Sequence, residues 1–124
     1  MLLQKLVVKE QIDTPYVCLD PETGVCDLTG KSYPEDISAF YMHIVDWFEE
    51  YAFVGKKDLT INMRLSYFNS ASQKIYTEIF EKLMDNKHFK VTVNWYYAED
   101  DDEILENGKI YQNLTDLKFN FIPY

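Results

Sequence analysis

Apolar and polar residues alternate in three separate stretches of the chain, residues 59–67, 89–97 and 117–122. A period of two is typical of a strand that buries one face and leaves the other in contact with water. These stretches therefore predict three half-buried strands. The apolar positions are Leu59, Ile61, Met63, Leu65 and Tyr67, then Phe89, Val91, Val93, Trp95 and Tyr97, and finally Leu117, Phe119 and Phe121.

The first third of the chain predicts three more strands. Apolar runs cover residues 2–8, starting at Leu2, and residues 15–19, and a shorter run covers residues 25–28. Between the last two runs, Pro21 presets φ for a turn and Gly24 supplies a positive φ. The second and third strands are therefore predicted to form an antiparallel hairpin.

A helix is predicted where the period changes from two to 3.6. Between residues 37 and 51, apolar side chains recur at i, i+3, i+4 and i+7 and form one stripe over four turns. Ser32 and Glu35 have the spacing of a capping box, and Pro34 suits the first turn, so we expect the helix to start there. Gly55, followed by two lysines, predicts its end.

Two further helices, at about residues 70–86 and 100–114, connect the alternating strands and complete the order β-β-β-α-β-α-β-α-β. Strands joined by helices run parallel through right-handed crossovers. A sheet covered on both faces would contain continuous apolar runs, whereas these strands are apolar on one face only. We therefore predict one α/β domain over residues 1–124, with a mixed sheet and all three helices on one face.

The composition narrows the range of functions. At 124 residues the chain is long enough for one domain with its own core, and its net charge of −9 repels nucleic acid and anionic lipid. No apolar run approaches the length of a membrane span, and Lys5 interrupts the opening residues too early for a secretory signal. The expected location is the cytoplasm.

Cys18 and Cys26 flank the predicted turn and could face each other across the hairpin. A disulfide is therefore geometrically possible. In a reducing compartment, however, two packed thiols are the favoured interpretation, and without a nearby histidine the pair makes a poor zinc site.

Most signatures of catalysis are absent from the sequence. It contains no Gly-rich phosphate loop, no Gly-x-Ser-x-Gly elbow and no histidine pair at ligand spacing. The acidic run Glu99–Glu103 is typical of a solvated first helical turn, because carboxylates complement the helix dipole there. We expect no catalytic residue, no cofactor and no divalent-cation site.

The segment from Asn69 to Lys74 is the most informative, because an alternating strand becomes a helix there. Ser70 is predicted to be the N-cap, with Gln73 completing a capping box. The same position lies on the rim of an α/β domain, where partners dock, and a phosphoryl group on it would meet backbone N–H groups with Lys74 one turn away. Capping and phosphorylation both remain open for Ser70 at this point.

Six short motifs in series resemble the SiaC family of bacterial regulatory phosphoproteins across essentially the whole chain. They are Asp13-Thr14-Pro15, Asp20-Pro21-Glu22-Thr23-Gly24, Ser32-Tyr33-Pro34-Glu35, Asp46-Trp47, Tyr67-Phe68-Asn69-Ser70 and Asn94-Trp95-Tyr96-Tyr97. The family is similar to anti-sigma-factor antagonists of the STAS type, so the resemblance implies a STAS-like fold in agreement with the one-sided sheet.

The resemblance also implies a partner-switching role in signal transduction. A serine/threonine kinase of the anti-sigma-factor type would phosphorylate the strand-to-helix junction, and a PP2C-like phosphatase would reverse the reaction. The unphosphorylated form would bind and activate a diguanylate cyclase, which raises cyclic di-GMP and promotes biofilm formation. Family members commonly read Asn-Thr-Ser-Ser where this chain has residues 69–72, so the implied acceptor is Ser70, with Ser72 as the fallback.

The functional expectation is a non-enzymatic phosphorylation switch. Its partner-binding surface would comprise Asn69, Ser70, Ser72, Gln73 and Lys74. The alternative is a small-ligand-binding domain or an enzyme that uses the open sheet face and the acidic run at residues 99–103. A deep polar pocket would favour that alternative, whereas an exposed Ser70 on a shallow rim would favour the switch.

Overall fold

Six strands and three helices follow one another in the predicted order in a computed structural model that describes residues 3–124. Leu2, where the sequence predicts the first strand to begin, lies outside the described residues. The strands are β1 (Leu6–Val8), β2 (Tyr16–Asp20), β3 (Val25–Ser32), β4 (Leu59–Phe68), β5 (Val91–Tyr97) and β6 (Lys118–Pro123), and the helices are α1 (Ile37–Val54), α2 (Ser70–Met84) and α3 (Asp102–Thr115).

The strands lie side by side in their sequence order, from β1 at one edge to β6 at the other. β1, β2 and β3 pair antiparallel, whereas β3, β4, β5 and β6 are parallel neighbours. Each parallel connection contains one helix and moves in the same direction along the sheet. Crossovers of the same hand therefore place all three helices on one face, and the predicted one-sided mixed sheet is confirmed.

The core lies between the helices and the apolar sheet face. Trp95 is at its centre, where its ring packs edge-on against Phe68 and Tyr111 at centroid distances of 6.0 and 5.5 Å. Such pairs contribute about 0.5–1.5 kcal/mol each beyond their burial. The predicted stripe of α1 supplies the opposite wall, and its buried members are Tyr41, Ile44, Trp47, Phe48 and Tyr51.

The predicted orientation of one β4 side chain is wrong, because Tyr67 faces solvent rather than the core. The pairing of β4 with β3 shifts by one residue after Leu65, so that Ser66 is the extra residue of a β-bulge. An inserted residue reverses the direction of every side chain that follows it. As a result Tyr67 is 50% exposed, and Phe68 takes the buried position in its place.

The predicted start of α1 is also wrong. Asp36 is the N-cap, and its Oδ1 accepts a hydrogen bond from the backbone N–H of Ala39 at 3.0 Å. Ser32 instead ends β3, where it pairs with Phe68 and is fully buried. The strand continues farther than the sequence indicates because Ser32 finds partners in the interior, which local spacing does not reveal.

The two cysteines are free thiols on opposite faces of the sheet. The β2–β3 register pairs Cys26 with Leu19 and Cys18 with Asp27, so the cysteines are offset by one residue. In a sheet, that offset points one side chain into the core and the other to the open face. The favoured interpretation as separate thiols is confirmed, and the possible face-to-face arrangement is wrong.

The open face of the sheet carries a row of hydrogen-bonded polar side chains across four strands. Asn120 donates to Asn94 at 3.0 Å, Asn94 donates to Asn62 at 2.9 Å, and Asn62 donates to Asp27 at 3.0 Å. These four residues stand opposite one another in the strand register. The side chains of this polar row therefore satisfy one another's hydrogen bonds.

Candidate functional site

The candidate site lies where β4 ends and α2 begins. β3, β4 and β5 run parallel, so their carboxyl ends meet at this edge of the sheet, and Ser32 and Phe68 are the last residues of β3 and β4. After Asn69, Ser70 is the first residue of α2, and its side chain is exposed. The sequence places this serine correctly on the rim of the domain.

The N-cap of α2 is Asn69 rather than Ser70. Its backbone is extended, with φ of −85° and ψ of 175°, and its Oδ1 accepts the backbone N–H of Ser72 at 2.9 Å. The N–H of Asn69 donates to the carbonyl of Ser32 at 3.0 Å. Capping therefore does not require the hydroxyl of Ser70, and the residue is left for another role.

Replacement of the true cap provides a stability test. Asn69→Ala is expected to lower the free energy of unfolding by about 0.5–2 kcal/mol, because the N–H of Ser72 loses its acceptor. Ser70→Ala should change it by less than about 0.5 kcal/mol, as is usual for exposed positions. Urea unfolding of both variants measures the difference. Equal losses in the two variants would contradict the assignment of Asn69 as the cap.

The first turn of α2 is suited to an anion. The earliest N–H groups of a helix have no intrahelical acceptor, and the dipole adds partial positive charge there. The first turn of α3 contains Asp102 and Glu103, but the first turn of α2 contains no acidic residue. Lys74, also exposed, adds a cation one turn farther along. A phosphoryl group on Ser70 would therefore be compatible with the fold.

Ser72 lies in the interior, with 0% of its surface exposed. Its Oγ is 2.7 Å from the Oγ of Ser32 and donates to the Ser32 carbonyl at 3.1 Å. The Ser32 hydroxyl is 2.5 Å from the Tyr41 hydroxyl, which is 2.6 Å from that of Tyr76. These four side chains form a continuous chain, which we call the buried hydroxyl chain: Ser32, Tyr41, Ser72 and Tyr76.

The buried hydroxyl chain has a consistent donor direction. Because Ser72 donates to a carbonyl, its oxygen is available to accept from Ser32, which in turn accepts from Tyr41, and Tyr41 accepts from Tyr76. Each hydroxyl then donates once. Burial raises the pKa of Tyr41 and raises the pKa of Tyr76 well above its ordinary value. The chain therefore remains neutral through the physiological range.

Stability is expected to fall at alkaline pH. Burial raises the pKa of Tyr41, Tyr76, Tyr111 and Cys26 in the folded state, so at high pH the unfolded chain releases protons that the folded chain retains. The folding stability that these groups contribute is fully present below pH 9. It is lost as the pH rises, above pH 9 for Cys26 and above pH 10 for the tyrosines. Each such group costs about 1.4 kcal/mol per pH unit. Urea unfolding between pH 8 and 11 measures the slope, and an unfolding free energy that stays constant would contradict it.

Sequence reasoning missed an exposed pair of aromatic residues at this rim. The rings of Tyr33 and Tyr67 meet edge to face with centroids 5.9 Å apart, and 38% and 50% of these residues are exposed. Tyr67 faces outward only because of the bulge at Ser66, and bulges often redirect side chains next to functional sites. The strict alternation around Tyr67 conceals this outcome in the sequence.

Four of the five predicted surface residues come together at the rim, namely Asn69, Ser70, Gln73 and Lys74. Ser70 and Lys74 are exposed, whereas Asn69 and Gln73 are half-buried. The carbonyl of Gln73 also accepts a hydrogen bond from the Tyr111 hydroxyl at 2.9 Å, which connects α3 to this turn. The expectation that Ser72 lies on the same surface is wrong because it is fully buried.

The acidic run at residues 99–103 serves the start of α3. Asp101 is the N-cap, and its Oδ1 accepts the N–H of Ile104 at 3.0 Å. Nowhere in residues 3–124 do three or more histidine, cysteine or carboxylate side chains cluster closely enough to hold a metal ion. The predicted role as a helix first turn is confirmed, and the expected lack of divalent-cation affinity stays a prediction.

A broad groove of about 920 Å³ opens at the opposite end of the sheet from Ser70. It lies between the turn after β2 and the end of α1, and its lining includes Leu3, Lys5 and Lys57. Neither the polar row of the open face nor the acidic run at residues 99–103 contributes to this groove. The geometry therefore does not combine the two features on which the ligand-binding alternative depends.

None of the helices described in residues 3–124 combines the length and the apolar character that crossing a membrane requires.

Comparison with known proteins gives a consistent family assignment. The model of the SiaC family regulatory phosphoproteins matches residues 8–124. An uncharacterised protein of Pseudomonas aeruginosa is 28% identical over 96 residues, which is 75% of each chain.

Solved structures from Pseudomonas aeruginosa share the fold. A chain in the crystal structure of diguanylate cyclase SiaD in complex with its activator SiaC has a TM-score of 0.87 at 23% identity, over 96% of this chain and 99% of that one. The crystal structure of apo-SiaC has a TM-score of 0.82 at 21% identity, over 96% of this chain and 98% of that one.

Proposed function

We propose that this chain, which belongs to the SiaC family of regulatory phosphoproteins, is a protein-binding switch set by phosphorylation of Ser70. The observation that carries the proposal is the contrast between two serines in one helical turn. Ser70 is exposed at a helix start that lacks acidic residues, whereas Ser72 is buried and hydrogen-bonded. Only the first offers its hydroxyl to another protein.

The chain supplies the acceptor, and other proteins supply the catalysis. In a serine/threonine kinase, the Ser70 Oγ–P bond would form as the bond between the β–γ bridging oxygen and the γ-phosphorus of ATP breaks. ADP leaves, and a kinase carboxylate takes the hydroxyl proton. A PP2C-like phosphatase would return the serine by hydrolysis. ATP and any metal ion belong to these partners, so the chain itself needs no cofactor and acts in the cytoplasm.

The unphosphorylated form is the one that engages the downstream partner. SiaC of Pseudomonas aeruginosa is an activator in complex with the diguanylate cyclase SiaD, and we extend that partner class to this chain. The exposed Tyr33–Tyr67 pair supports the proposal, because aromatic side chains commonly anchor protein interfaces. Through a cyclase, the switch would control cyclic di-GMP and biofilm formation.

Phosphorylation is tested by incubating the protein with its cognate kinase and ATP and mapping the phosphate by mass spectrometry. We expect one phosphate on Ser70 and none on Ser70→Ala. The PP2C-like phosphatase should then restore the original mass. Failure of wild-type protein to acquire phosphate on Ser70 would contradict the proposal and leave Ser70 as an ordinary surface residue.

The aromatic anchor is tested separately from the phosphate. Tyr67→Ala is expected to weaken binding of the diguanylate cyclase about tenfold, because an exposed ring that would fill a partner pocket is lost. Phe53→Ala removes an equally large ring that is 83% exposed at the opposite end of the sheet, and it should leave affinity unchanged. Calorimetric titration of both variants measures the difference. No loss in Tyr67→Ala would exclude Tyr67 from the interface, and equal losses in both variants would show that the effect is not specific to this rim.

A further inference from the structure

We propose that the buried hydroxyl chain selects Ser70 over Ser72 as the phosphoacceptor, a step that rests on the proposed function. The two serines lie two positions apart on the first turn of α2, so they point about 200° apart around the helix axis. One must face the interior when the other faces solvent. Whatever sets the rotation of this turn also sets which hydroxyl a kinase meets.

Hydrogen bonds at Ser72 fix that rotation. Its backbone N–H is held by Asn69, and its Oγ contacts both the hydroxyl and the carbonyl of Ser32. The same Ser32 carbonyl accepts the N–H of Asn69 at 3.0 Å. The first turn of α2 is therefore attached at three points to the last residue of β3, and turning Ser72 outward would break two of them.

The buried hydroxyl chain extends this attachment to α1. Tyr41 is a residue of α1, and its hydroxyl lies between Ser32 and Tyr76, a residue of α2 one turn beyond Ser72. Apolar packing alone is not directional, whereas hydrogen bonds between hydroxyls require one orientation. Removal of the Tyr41 hydroxyl leaves the Tyr76 hydroxyl without its acceptor. Because the buried hydroxyl chain is closed to water, no solvent molecule replaces that acceptor. Tyr41 is therefore a positioning residue for Ser70, because its hydroxyl joins Tyr76 in α2 to Ser32 at the end of β3.

Tyr51 provides a matched control. It is buried in the same helix, and its hydroxyl also donates a hydrogen bond, to the carbonyl of Lys57 at 2.9 Å. That contact lies at the opposite end of the sheet from Ser70. Tyr41→Phe and Tyr51→Phe each remove a single buried hydroxyl oxygen and keep the ring, so urea unfolding should show both variants folded.

Hydrogen exchange tests the positioning directly in the intact protein. Tyr41→Phe is expected to raise the exchange rate of backbone amides in residues 69–73 about tenfold, and Ser32→Ala should do the same. Tyr51→Phe should leave these amides at the wild-type rate. An unchanged rate in Tyr41→Phe and Ser32→Ala, or an equal rise in Tyr51→Phe, would overturn the proposal.

Phosphosite mapping with the cognate kinase gives a readout that general destabilisation does not produce. Wild type and Tyr51→Phe should accept phosphate on Ser70 alone, whereas Tyr41→Phe should also accept it on Ser72. If wild type is modified at Ser70 and Tyr41→Phe shows the same single site, the proposed function stands and this selection mechanism is wrong. If wild type acquires no phosphate at Ser70, both are wrong.

Discussion

Phosphorylation of Ser70 is expected to weaken binding of the downstream partner about 100-fold, and Ser70→Asp about tenfold. Each tenfold loss corresponds to about 1.4 kcal/mol. A phosphoryl group carries nearly two negative charges, and desolvating it against an apolar or acidic partner surface costs several kcal/mol. The adjacent Tyr33–Tyr67 pair would bring such a surface close to the phosphate.

The fold itself should tolerate the same charge. An anion at the first turn of α2 gains about 0.3–1 kcal/mol from the helix dipole, and that turn contains no competing acid. Urea unfolding of Ser70→Asp should therefore show unchanged or slightly higher stability. Loss of binding without loss of stability would place the effect at the interface rather than in the folded state.

A charge control separates the site from the net charge. Asn113→Asp adds one negative charge at an exposed position in the last turn of α3, at the end of the sheet remote from Ser70. Its affinity for the cyclase should stay within about twofold of wild type, as should that of Ser70→Ala. Calorimetric titration and an assay of cyclase activity compare Ser70→Asp, Ser70→Ala and Asn113→Asp. A tenfold loss in Asn113→Asp would show that overall charge, not Ser70, controls binding.

Gly108→Val is expected to lower the free energy of unfolding by about 3 kcal/mol, the upper end of the usual cost of overpacking. Gly108 lies in α3 against Trp95, and an added Cβ would come within 2.6 Å of the indole ring and 2.8 Å of the Phe121 ring. The indole cannot turn aside freely, since its Nε1 donates to the carbonyl of Ile104 at 2.8 Å. The rigid ring therefore leaves no room for a side chain.

Gly108→Ala sets two effects of opposite sign against each other. Alanine favours a helix by about 1 kcal/mol over glycine, while the clash with Trp95 costs about 2 kcal/mol, so we expect a net loss of about 1 kcal/mol. Asn113→Ala, in the same helix but exposed, should instead stabilise by a few tenths. Thermal and urea unfolding compare them. A stabilised Gly108→Ala would show that the Trp95 side chain moves more easily than its hydrogen bond indicates.

Much of the fold follows from local pattern. The alternation in β4, β5 and β6 predicts the half-buried sheet, because a strand places successive side chains on opposite faces. The 3.6-residue period predicts α1, and five of its six buried residues, all but Val45, belong to the predicted stripe. The prediction fails at Tyr67, where one extra residue in β4 reverses the pattern. A bulge arises from how β4 pairs with its neighbouring strand. The alternation of residues within β4 carries no information about that pairing.

The candidate site shows the same division. The sequence predicts a serine at the start of α2, and the resemblance to the SiaC family implies its phosphorylation. Helix caps were less predictable, because Ser32 and Ser70 both have suitable neighbours, yet Asp36 and Asn69 are the caps. Several side chains in a row can cap a helix, and the choice depends on which of them the core already uses.

The sequence by itself determined the order of elements, the one-sided sheet and the location of Ser70, because these depend on periodicity and on residues close together in the chain. Only the tertiary structure decided that Ser72 is buried and Tyr67 exposed. Ser72 meets Ser32 across 40 positions of sequence, and Tyr67 turns outward through the register of β4 against β3. Both outcomes result from contacts between distant segments, and such contacts exist only after the chain has folded.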